Sequence, residues 1–327
     1  MMSVQGFTLN EHGTSQVLCW GDVTVPAPGP GEVRVQHRAV GVNFIDIYFR
    51  QGLYPMDLPG RLGLEAAGVV EAVGEGVTEV KIGQRVSYCM SPLGAYAEAH
   101  VVPARCLVPL PDAVSFEQAA AITLKGLTAA FLLQSLRPMQ KGEDILVFAA
   151  AGGVGQILCQ WGNHLGLRVI GVTSSELKQQ QALAAGCTDV VLAKDDIAQQ
   201  VRQLTQGKGV EVVYDSVGAD TFEQSLDCVA RRGWLVSYGN ASGPAPAIAP
   251  LTLLQKGSIV LTRPSLADFV ADRDELLELS RTLFTAVEQG VVKVQIGQTY
   301  PLREAAAAQD ALQARKTTGS TVLTLEE

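Results

Sequence analysis

From residue 144 onward, short runs of apolar and β-branched residues alternate with segments whose apolar residues recur at helical spacing. Helices are predicted at residues 156–165 and 176–185, and Gly186 ends the second as a C-cap. Apolar strands joined by helices of this length are typical of a parallel sheet covered on both faces. The pattern therefore predicts an α/β, doubly wound domain with a six-stranded parallel sheet. Its strands are predicted at residues 145–149, 168–173, 189–192, 210–215, 234–238 and 258–262.

The first 125 residues have a different pattern, in which glycine-rich turns separate short strands, as at residues 33–40 and 66–73. Such a pattern is typical of an irregular β-rich domain. The end of the chain returns to mixed elements, predicted as helices at 274–288 and 303–314 and strands at 292–296 and 321–325. We predict a discontinuous domain formed by residues 1–125 and 264–327, which the doubly wound domain at residues 126–263 interrupts.

A glycine-rich turn at residues 149–155 lies between the first predicted strand and the first predicted helix of the doubly wound domain. Ala150, Gly152 and Gly155 take the three glycine positions of the GxGxxG pattern, with alanine at the first. Small residues there let the backbone approach a pyrophosphate, whose charge then lies against the amides of a helix N-terminus. The turn alone is equally typical of an ordinary tight turn; its strand–turn–helix context favours a dinucleotide site.

Composition and charge exclude several classes of function. The 327 residues are 47% hydrophobic and 18% charged, with a net charge of −8 and an isoelectric point near 5.1. An acidic balance argues against nucleic acid or an anionic membrane as the main partner. No segment has the pattern of an export signal or of a membrane span, so a cytoplasmic location is expected.

Cysteine and histidine are scattered along the chain, without the short spacings of metal-binding motifs. The six cysteines are expected to be reduced and buried as small apolar residues. We therefore predict no metal site.

Several motifs in a fixed order carry a resemblance to a known family. The chain resembles the medium-chain dehydrogenase/reductase superfamily, and within it the zeta-crystallin-like, NADPH-dependent quinone oxidoreductases. The resemblance covers essentially the full length and implies a GroES-like catalytic domain beside a Rossmann domain. Its motifs are at residues 41–46, 63–68, 83–86, 123–128, 149–156, 214–218 and 263–265.

The zinc alcohol dehydrogenases of this superfamily differ at the positions that hold their metal. They place a cysteine where this chain has Asn43 and a His-Glu pair where it has Leu64 and Glu65. They also carry a cysteine-rich loop that this chain lacks near residues 90–110. Because catalytic zinc needs three protein ligands, the resemblance implies the metal-free branch, whose acceptor must take a hydride without a Lewis acid.

A quinone is such an acceptor, because its ring is intrinsically electrophilic. The resemblance implies hydride transfer from NADPH to a quinone in the cleft between the domains, with Asn43 and Tyr48 as hydrogen-bond donors to its oxygen. Tyr54 is expected to form a wall of the pocket, although packing is the commoner role of a tyrosine. Asp46 is expected to cap a helix or to pair with Arg50.

The resemblance also implies the cofactor-binding residues. Lys125 is predicted near the nicotinamide, although it could equally be a solvated surface charge. Six further residues are predicted to hold the pyrophosphate or the nicotinamide side: Gly152, Gly153 and Val154 for the former, and Tyr238, Gly239 and Asn240 for the latter.

The end of the second strand predicts NADPH rather than NADH. An NAD site usually has an acidic residue there, whereas this chain offers Ser174 and Lys178, which suit a phosphate. By resemblance, Arg315 completes the phosphate site. Glu176 is close enough to take the NAD role instead, and Ala193 stands where relatives often have tyrosine.

Two other functions remain open at the level of sequence. An NADPH-dependent alkenal or enone reductase needs the same hydride geometry, and a crystallin-like or RNA-binding role needs no catalysis. The expected partner is a small quinone, with no nucleic acid and no membrane. A homodimer is expected from the family and from the open edge of a six-stranded sheet.

Overall fold

The computed structural model describes residues 1–325, which divide into two compact units. The first unit contains Met1–Leu127, Val270–Glu288 and the described residues from Val294 onward, and the second contains Thr128–Phe269 and Gln289–Lys293.

The chain leaves the second unit later than the predicted boundary at residue 263. The ring of Phe269 stacks on Phe131 of the same unit, with centroids 4.4 Å apart. Residues 289–293 return to this unit, where the Lys293 N–H donates to Gln160 Oε1 at 2.6 Å.

Fifteen strands are found in the described residues. They are β1 (Met2–Thr8), β2 (Cys19–Val25), β3 (Glu32–Val42), β4 (Glu65–Val73), β5 (Arg85–Cys89), β6 (Ala99–Pro103), β7 (Leu107–Pro109), β8 (Asp144–Val147), β9 (Arg168–Thr173), β10 (Asp189–Leu192), β11 (Val210–Asp215), β12 (Val229–Ser237), β13 (Val260–Thr262), β14 (Ile296–Pro301) and β15 (Ser320–Thr324).

Ten α-helices accompany them in the described part of the chain. They are α1 (Phe44–Arg50), α2 (Phe116–Ala130), α3 (Gly153–His164), α4 (Glu176–Ala184), α5 (Ile197–Leu204), α6 (Phe222–Cys228), α7 (Pro250–Gln255), α8 (Leu266–Phe269), α9 (Arg273–Glu288) and α10 (Ala305–Gln313).

The first unit is built on a seven-stranded sheet with the order β14-β15-β3-β4-β5-β7, and β6 also pairs with β3. All of its pairs are antiparallel except β14 with β15. Along β3, Val33 and Val35 are fully buried and Arg34 between them is more exposed, as expected for a strand with one face on a core. The β-rich first domain predicted from the glycine turns is confirmed by this sheet.

The second unit is built on a six-stranded sheet in which every pair is parallel, with the order β10-β9-β8-β11-β12-β13. This is the strand order of a doubly wound dinucleotide-binding fold. Leu146, Ile170, Val213 and Leu235, from its four central strands, are fully buried. The predicted α/β domain with a six-stranded parallel sheet is therefore confirmed.

One predicted strand is wrong. Residues 292–296 were expected in a strand, but the strand β14 begins at Ile296. The apolar residues of that stretch belong partly to the second unit, and the bond between Lys293 and Gln160 fixes the chain there before β14 begins. Tertiary contact thus overrides the local pattern of apolar residues.

One helical segment among residues 1–325, Phe116–Ser135, has the length and apolarity of a membrane span. Its most apolar window is 78% buried within the protein, as in a core helix of a folded domain. It comprises α2 and a following π-helical turn, Phe131–Ser135.

Candidate active site

Asn43 begins the helix that carries the predicted catalytic residues. It is the buried N-cap of α1, and its backbone N–H donates to Asp46 Oδ2 at 2.9 Å. Asparagine at the N-cap and an acidic residue in the first turn both favour a helix start at this position. Asp46 therefore caps the helix, as expected, while Arg50 donates to Gln309 and Gln313.

Glu65 is the centre of the site, and sequence reasoning did not assign it a role. This fully buried residue begins β4, and its Oε2 accepts from Asn43 Nδ2 at 2.8 Å. Its Oε1 accepts from the Leu124 N–H at 2.6 Å. Lys125 Nζ lies 3.5 Å from Oε2. One carboxylate thus joins two residues that were predicted for different roles, Asn43 for catalysis and Lys125 for cofactor binding.

A glycine makes room for this carboxylate. In the β3–β4 pairing, Val40 lies opposite Ala66, so that Gly41 faces the start of β4. A Cβ atom at Gly41 would lie 2.2 Å from Glu65 Oε2 and 2.4 Å from the Ala120 carbonyl oxygen. Only glycine fits. A glutamate within the apolar run of residues 62–67 is the sequence signal that could have identified the buried site.

The interpretation of Lys125 as a solvated surface charge is wrong. The residue is only 7% exposed, and its Nζ has no hydrogen-bond partner among residues 1–325. Burial raises the pKa of Glu65, and the Lys125 ammonium and the Asn43 amide act to lower it. The ammonium and the carboxylate offset each other's burial as an ion pair.

A second buried carboxyl belongs to the same network. Asp46 Oδ2 also accepts from the Tyr96 hydroxyl at 3.0 Å, and Tyr96 in turn accepts from Gln309 Nε2. Burial raises the pKa of Asp46 to about 7, although the hydrogen bonds from Asn43 and Tyr96 act to lower it. Asp46 Oδ1 has no hydrogen-bond partner within the described chain.

Tyr48 and Tyr54 lie in one aromatic cluster. Their rings meet edge to face with centroids 5.4 Å apart, and the Tyr54 ring also contacts Phe49 at 5.6 Å. Tyr48 is buried on α1, and its ring lies 6.3 Å from that of Phe44. The rings of this cluster are tilted against one another, and the roles predicted for both tyrosines stay predictions.

The glycine-rich turn of the second unit has the backbone that a pyrophosphate requires. Gly152 is the N-cap of α3, which begins at Gly153 and Val154, so the cap residue offers no side-chain acceptor to the first-turn N–H groups. A Cβ atom at Gly155 would lie 2.3 Å from the Ala149 carbonyl oxygen. The uncapped helix start fits an anion of the cofactor.

The residues predicted to select NADPH lie at the ends of different elements. Ser174 is exposed directly after β9, and Lys178 lies in the first turns of α4, whose N-cap Ser175 accepts from the Lys178 N–H at 3.4 Å. Glu176 is exposed in the same turn. Arg315 is exposed after α10 of the first unit, with a φ of 58°.

The remaining cofactor candidates, Tyr238, Gly239 and Asn240, directly follow β12. A Cβ atom at Gly239 would lie 2.4 Å from the Ser216 carbonyl oxygen, so the loops after β11 and β12 approach each other closely. Asp215 organises the first of these loops.

Asp215 ends β11 and is fully buried, and sequence reasoning gave it no role. Its side chain accepts from the Val217 N–H at 2.7 Å and from the Thr221 and Ser225 hydroxyls. It is a structural residue that holds the loop beside Gly239.

Metal-ligating side chains are not clustered in the described chain. No group of three or more histidine, cysteine, aspartate or glutamate residues within 1–325 could hold a metal ion. Five of the six cysteines are buried as expected, and Cys19 is exposed.

Comparison with known proteins identifies the family. Residues 29–112 match the alcohol dehydrogenase GroES-like domain, and residues 153–280 match the zinc-binding dehydrogenase family. The chain is 50% identical to a quinone oxidoreductase of Pseudomonas aeruginosa over 95% of this chain and 97% of that protein. It is 42% identical to a 2-haloacrylate reductase of Burkholderia over 98% of both.

A solved structure gives the same result for the fold. The Escherichia coli quinone oxidoreductase, crystallised with NADPH, matches with a TM-score of 0.96 at 45% identity over 98% of this chain and 99% of that chain. Similarity of this extent in both sequence and structure identifies the chain as a member of the quinone oxidoreductase family of the medium-chain dehydrogenase/reductase superfamily.

Proposed function

We propose that this chain is an NADPH-dependent quinone oxidoreductase that transfers a hydride to a quinone without a metal. The observation that carries the proposal is the 50% identity to a quinone oxidoreductase over 95% of the chain. A buried amide beside an aromatic cluster, formed by Asn43 with Tyr48 and Tyr54, supports a flat acceptor that gains charge on oxygen.

The chemistry assigns a limited task to the protein. When bound, NADPH supplies a hydride, which carries two electrons to the quinone, and a proton from solvent completes the hydroquinone. Asn43 donates to the oxygen that becomes negative, and Tyr48 assists. The aromatic rings of Tyr48 and Tyr54 hold the acceptor flat and keep water away from it.

Most of the residues proposed to bind the cofactor belong to the second unit, and Lys125 and Arg315 belong to the first. The first-turn amides of α3, at Gly153 and Val154, bind the pyrophosphate in this proposal. Ser174 and Lys178 bind the 2′-phosphate, to which Arg315 adds a second cation. Lys125, Tyr238, Gly239 and Asn240 lie along the nicotinamide side.

Turnover of an acceptor panel tests the proposal. Oxidation of NADPH by the purified protein is followed with ortho- and para-quinones, and in parallel with enones and 2-haloacrylate. We expect the highest kcat/KM with a quinone. The proposal would be overturned if the protein reduced the enones or 2-haloacrylate but reduced no quinone.

Reduction of an activated carbon–carbon double bond is the second candidate. It is favoured by the 42% identity to a 2-haloacrylate reductase over 98% of the chain. NADPH deuterated at the transferred position distinguishes the two, because an alkene reductase leaves the label on a product carbon. A crystallin-like or RNA-binding role has no comparable support.

We also propose that two copies associate through the edge of the parallel sheet. Strand β13 is the last strand of that sheet, and within residues 1–325 it pairs only with β12. Its Val260 is 39% exposed, and Leu251 and Leu254 of the preceding helix α7 are 61% and 64% exposed. An apolar sheet edge of this kind favours pairing with a second copy. A cytoplasmic homodimer that acts on a small quinone is the simplest consistent state.

A further inference from the structure

Lys125 has a buried ammonium whose donors are not used within the first unit. Nζ is enclosed, yet none of its N–H groups has a hydrogen-bond acceptor among residues 1–325. A buried polar group without a partner costs free energy, and in native proteins such a group usually indicates a ligand, a water or a function.

The ion pair with Glu65 does not account for this ammonium. The Nζ to Oε2 distance of 3.5 Å is longer than the 2.7–2.9 Å of a close charge-assisted hydrogen bond. The ammonium is held near the carboxylate by charge, and its N–H groups have no acceptor at hydrogen-bond geometry among residues 1–325.

A second donor lies on the same carboxylate oxygen. Asn43 Nδ2 donates one of its two N–H groups to Glu65 Oε2 at 2.8 Å, which leaves the other for a further acceptor. Glu65 Oε1 holds the backbone N–H of Leu124, the residue before Lys125, at 2.6 Å. The two oxygens of Glu65 therefore fix both the amide of Asn43 and the chain that carries Lys125.

We propose that Lys125 is a catalytic residue that acts with Asn43 as a pair of donors to the acceptor oxygen, and that Glu65 is the positioning residue for both. This inference rests on the proposed function and changes the role of Lys125 from cofactor binding to charge stabilisation. The hydride and its electron pair pass to the acceptor, whose oxygen takes up the negative charge. A proton from solvent then neutralises this oxygen, and Lys125 keeps its own protons.

The arrangement explains why a positive charge is buried at this position. An ammonium in a water-poor site stabilises an oxyanion more strongly than it would in solvent. Glu65 holds the ammonium in place before the acceptor binds, so that little reorganisation is needed during the reaction. When the anionic oxygen binds, it accepts one N–H of the Lys125 ammonium and the second N–H of the Asn43 amide.

Substitution of Lys125 tests the role. We expect Lys125→Met to lower kcat with a quinone by about 100-fold or more, as loss of one oxyanion donor does. The dissociation constant for NADPH, measured by quenching of protein fluorescence, should change less than about twofold. Lys125→Arg should recover part of kcat. Lys81→Met, which removes an exposed lysine of the same unit, serves as the matched control.

A variant in which both members of the ion pair are neutral distinguishes loss of catalysis from loss of the fold. Lys125→Met leaves Glu65 buried without its counter-ion, so thermal unfolding is measured beside the combined Lys125→Met and Glu65→Gln variant. If the combined variant melts like the wild type and still loses about 100-fold in kcat, the catalytic role is supported. Wild-type kcat in this folded double variant would overturn the proposal.

A series of substituted para-quinones separates catalysis from structure. Electron-donating substituents make the hydroquinone anion more basic, and a donor of hydrogen bonds to that oxygen then contributes more. We expect the loss of kcat in Lys125→Met to increase with this basicity. A structural defect would instead lower kcat by the same factor for every quinone of the series. An equal loss throughout the series, or a large change in NADPH affinity alone, would assign Lys125 to structure or to cofactor binding.

Failure of this inference can be distinguished from failure of the proposed function. If the wild type reduces enones or 2-haloacrylate but no quinone, the proposed function is wrong. The oxygen of those acceptors also gains charge, so the same variants are then compared with them. Unchanged kcat of the Lys125 variants with an acceptor that the wild type reduces overturns the inference alone.

Discussion

At the scale of single residues, the site depends on a carboxylate that binds an amide and lies beside an ammonium. Glu65 binds the Asn43 amide at 2.8 Å and lies 3.5 Å from the Lys125 ammonium. Removing any one of the three leaves a buried charge or donor without its partner, which costs more than the bond itself contributed. Effects of substitutions at these positions are therefore expected to be non-additive.

Asn43 is expected to act mainly in the transition state. Loss of a well-aligned oxyanion donor costs about 2.7–4 kcal/mol, so Asn43→Ala should lower kcat with a quinone about 100- to 1000-fold. NADPH affinity should change little, and Tyr48→Phe should have a smaller effect on kcat. Steady-state kinetics with a fluorescence titration of NADPH measure both. Full quinone turnover in the combined Asn43→Ala and Tyr48→Phe variant would exclude this site.

Asp46 is expected to make stability fall as pH rises through the acid range. Its folded pKa of about 7 lies above the ordinary value of 3.8, so the folded state binds a proton that the unfolded chain has released. Between pH 3.8 and about 7, the free energy of unfolding then falls by at most about 1.4 kcal/mol for each pH unit.

The Asp46→Asn variant isolates this contribution. It keeps an acceptor for the Asn43 N–H but cannot titrate. Urea unfolding of both proteins is measured at several pH values between 4 and 8. The free energy of unfolding of the variant, relative to that of the wild type, should increase as pH rises. Parallel pH profiles of the two proteins would contradict the assigned shift.

At the scale of elements, the beginnings of two helices provide the predicted cofactor contacts. Helix α3 begins at Gly153 behind a glycine N-cap, and α4 begins behind Ser175. Each follows a parallel strand, so both starts lie at the carboxyl edge of the sheet, where doubly wound folds bind nucleotides. Backbone position alone thus predicts a nucleotide site at this edge of the sheet.

Lys178 is expected to set the preference for NADPH. A charge-assisted hydrogen bond to the 2′-phosphate contributes about 1.5–3 kcal/mol, so Lys178→Ala should lower the NADPH/NADH ratio of kcat/KM roughly 10- to 150-fold. Lys194→Ala, at an exposed lysine just after β10, is the matched control. If the ratio does not change, Lys178 does not bind the phosphate. The exposed Glu176 would then be tested in the same way as the acidic residue of an NAD site.

At the scale of the whole molecule, the chain combines two units whose sequences are interleaved. The first unit returns at Val270 and again at Val294, after the parallel sheet is complete. Its seven-stranded sheet therefore needs β14 and β15 from the C-terminal part beside β3 from the N-terminal part. Such non-local pairing implies that the first unit cannot complete its sheet before the rest of the chain has been made.

The sheet edge at β13 is expected to hold the homodimer together. Val260→Lys places a charge on the proposed interface, where it must be buried without a partner, and should shift the protein from dimer to monomer. Light scattering during size-exclusion chromatography measures the mass. Ile82→Lys, at a residue 65% exposed in the first unit, is the control and should remain dimeric. A wild-type protein of monomer mass would remove the dimer proposal.

The purified protein is expected to contain no stoichiometric zinc and to keep its activity in chelator. Asn43 and Leu64 stand where the zinc enzymes of the superfamily have cysteine and histidine, and the Asn43 amide is already bound to Glu65. These groups offer too few ligands for catalytic zinc. Elemental analysis that finds about one zinc for each chain would contradict this expectation.

Most of the doubly wound domain could be predicted because its signals are local. The apolar runs at 168–173, 189–192 and 210–215 coincide with β9, β10 and β11, since a strand buried on both faces must be apolar along its length. The glycine turn could be recognised for the same reason, because its small residues are needed by the backbone within a few residues of the turn.

The arrangement of the site was decided only by the tertiary structure. Asn43, Glu65 and Lys125 are far apart in the chain and meet because β3 pairs with β4 in one register, while α2 supplies Lys125 against that pair. Nothing in the spacing of these residues indicates that one carboxylate would hold the other two. The sequence by itself determined most of the strands and helices of the doubly wound domain, because hydrophobic burial follows local periodicity. Hydrogen bonds between distant side chains depend instead on the register of the completed sheet.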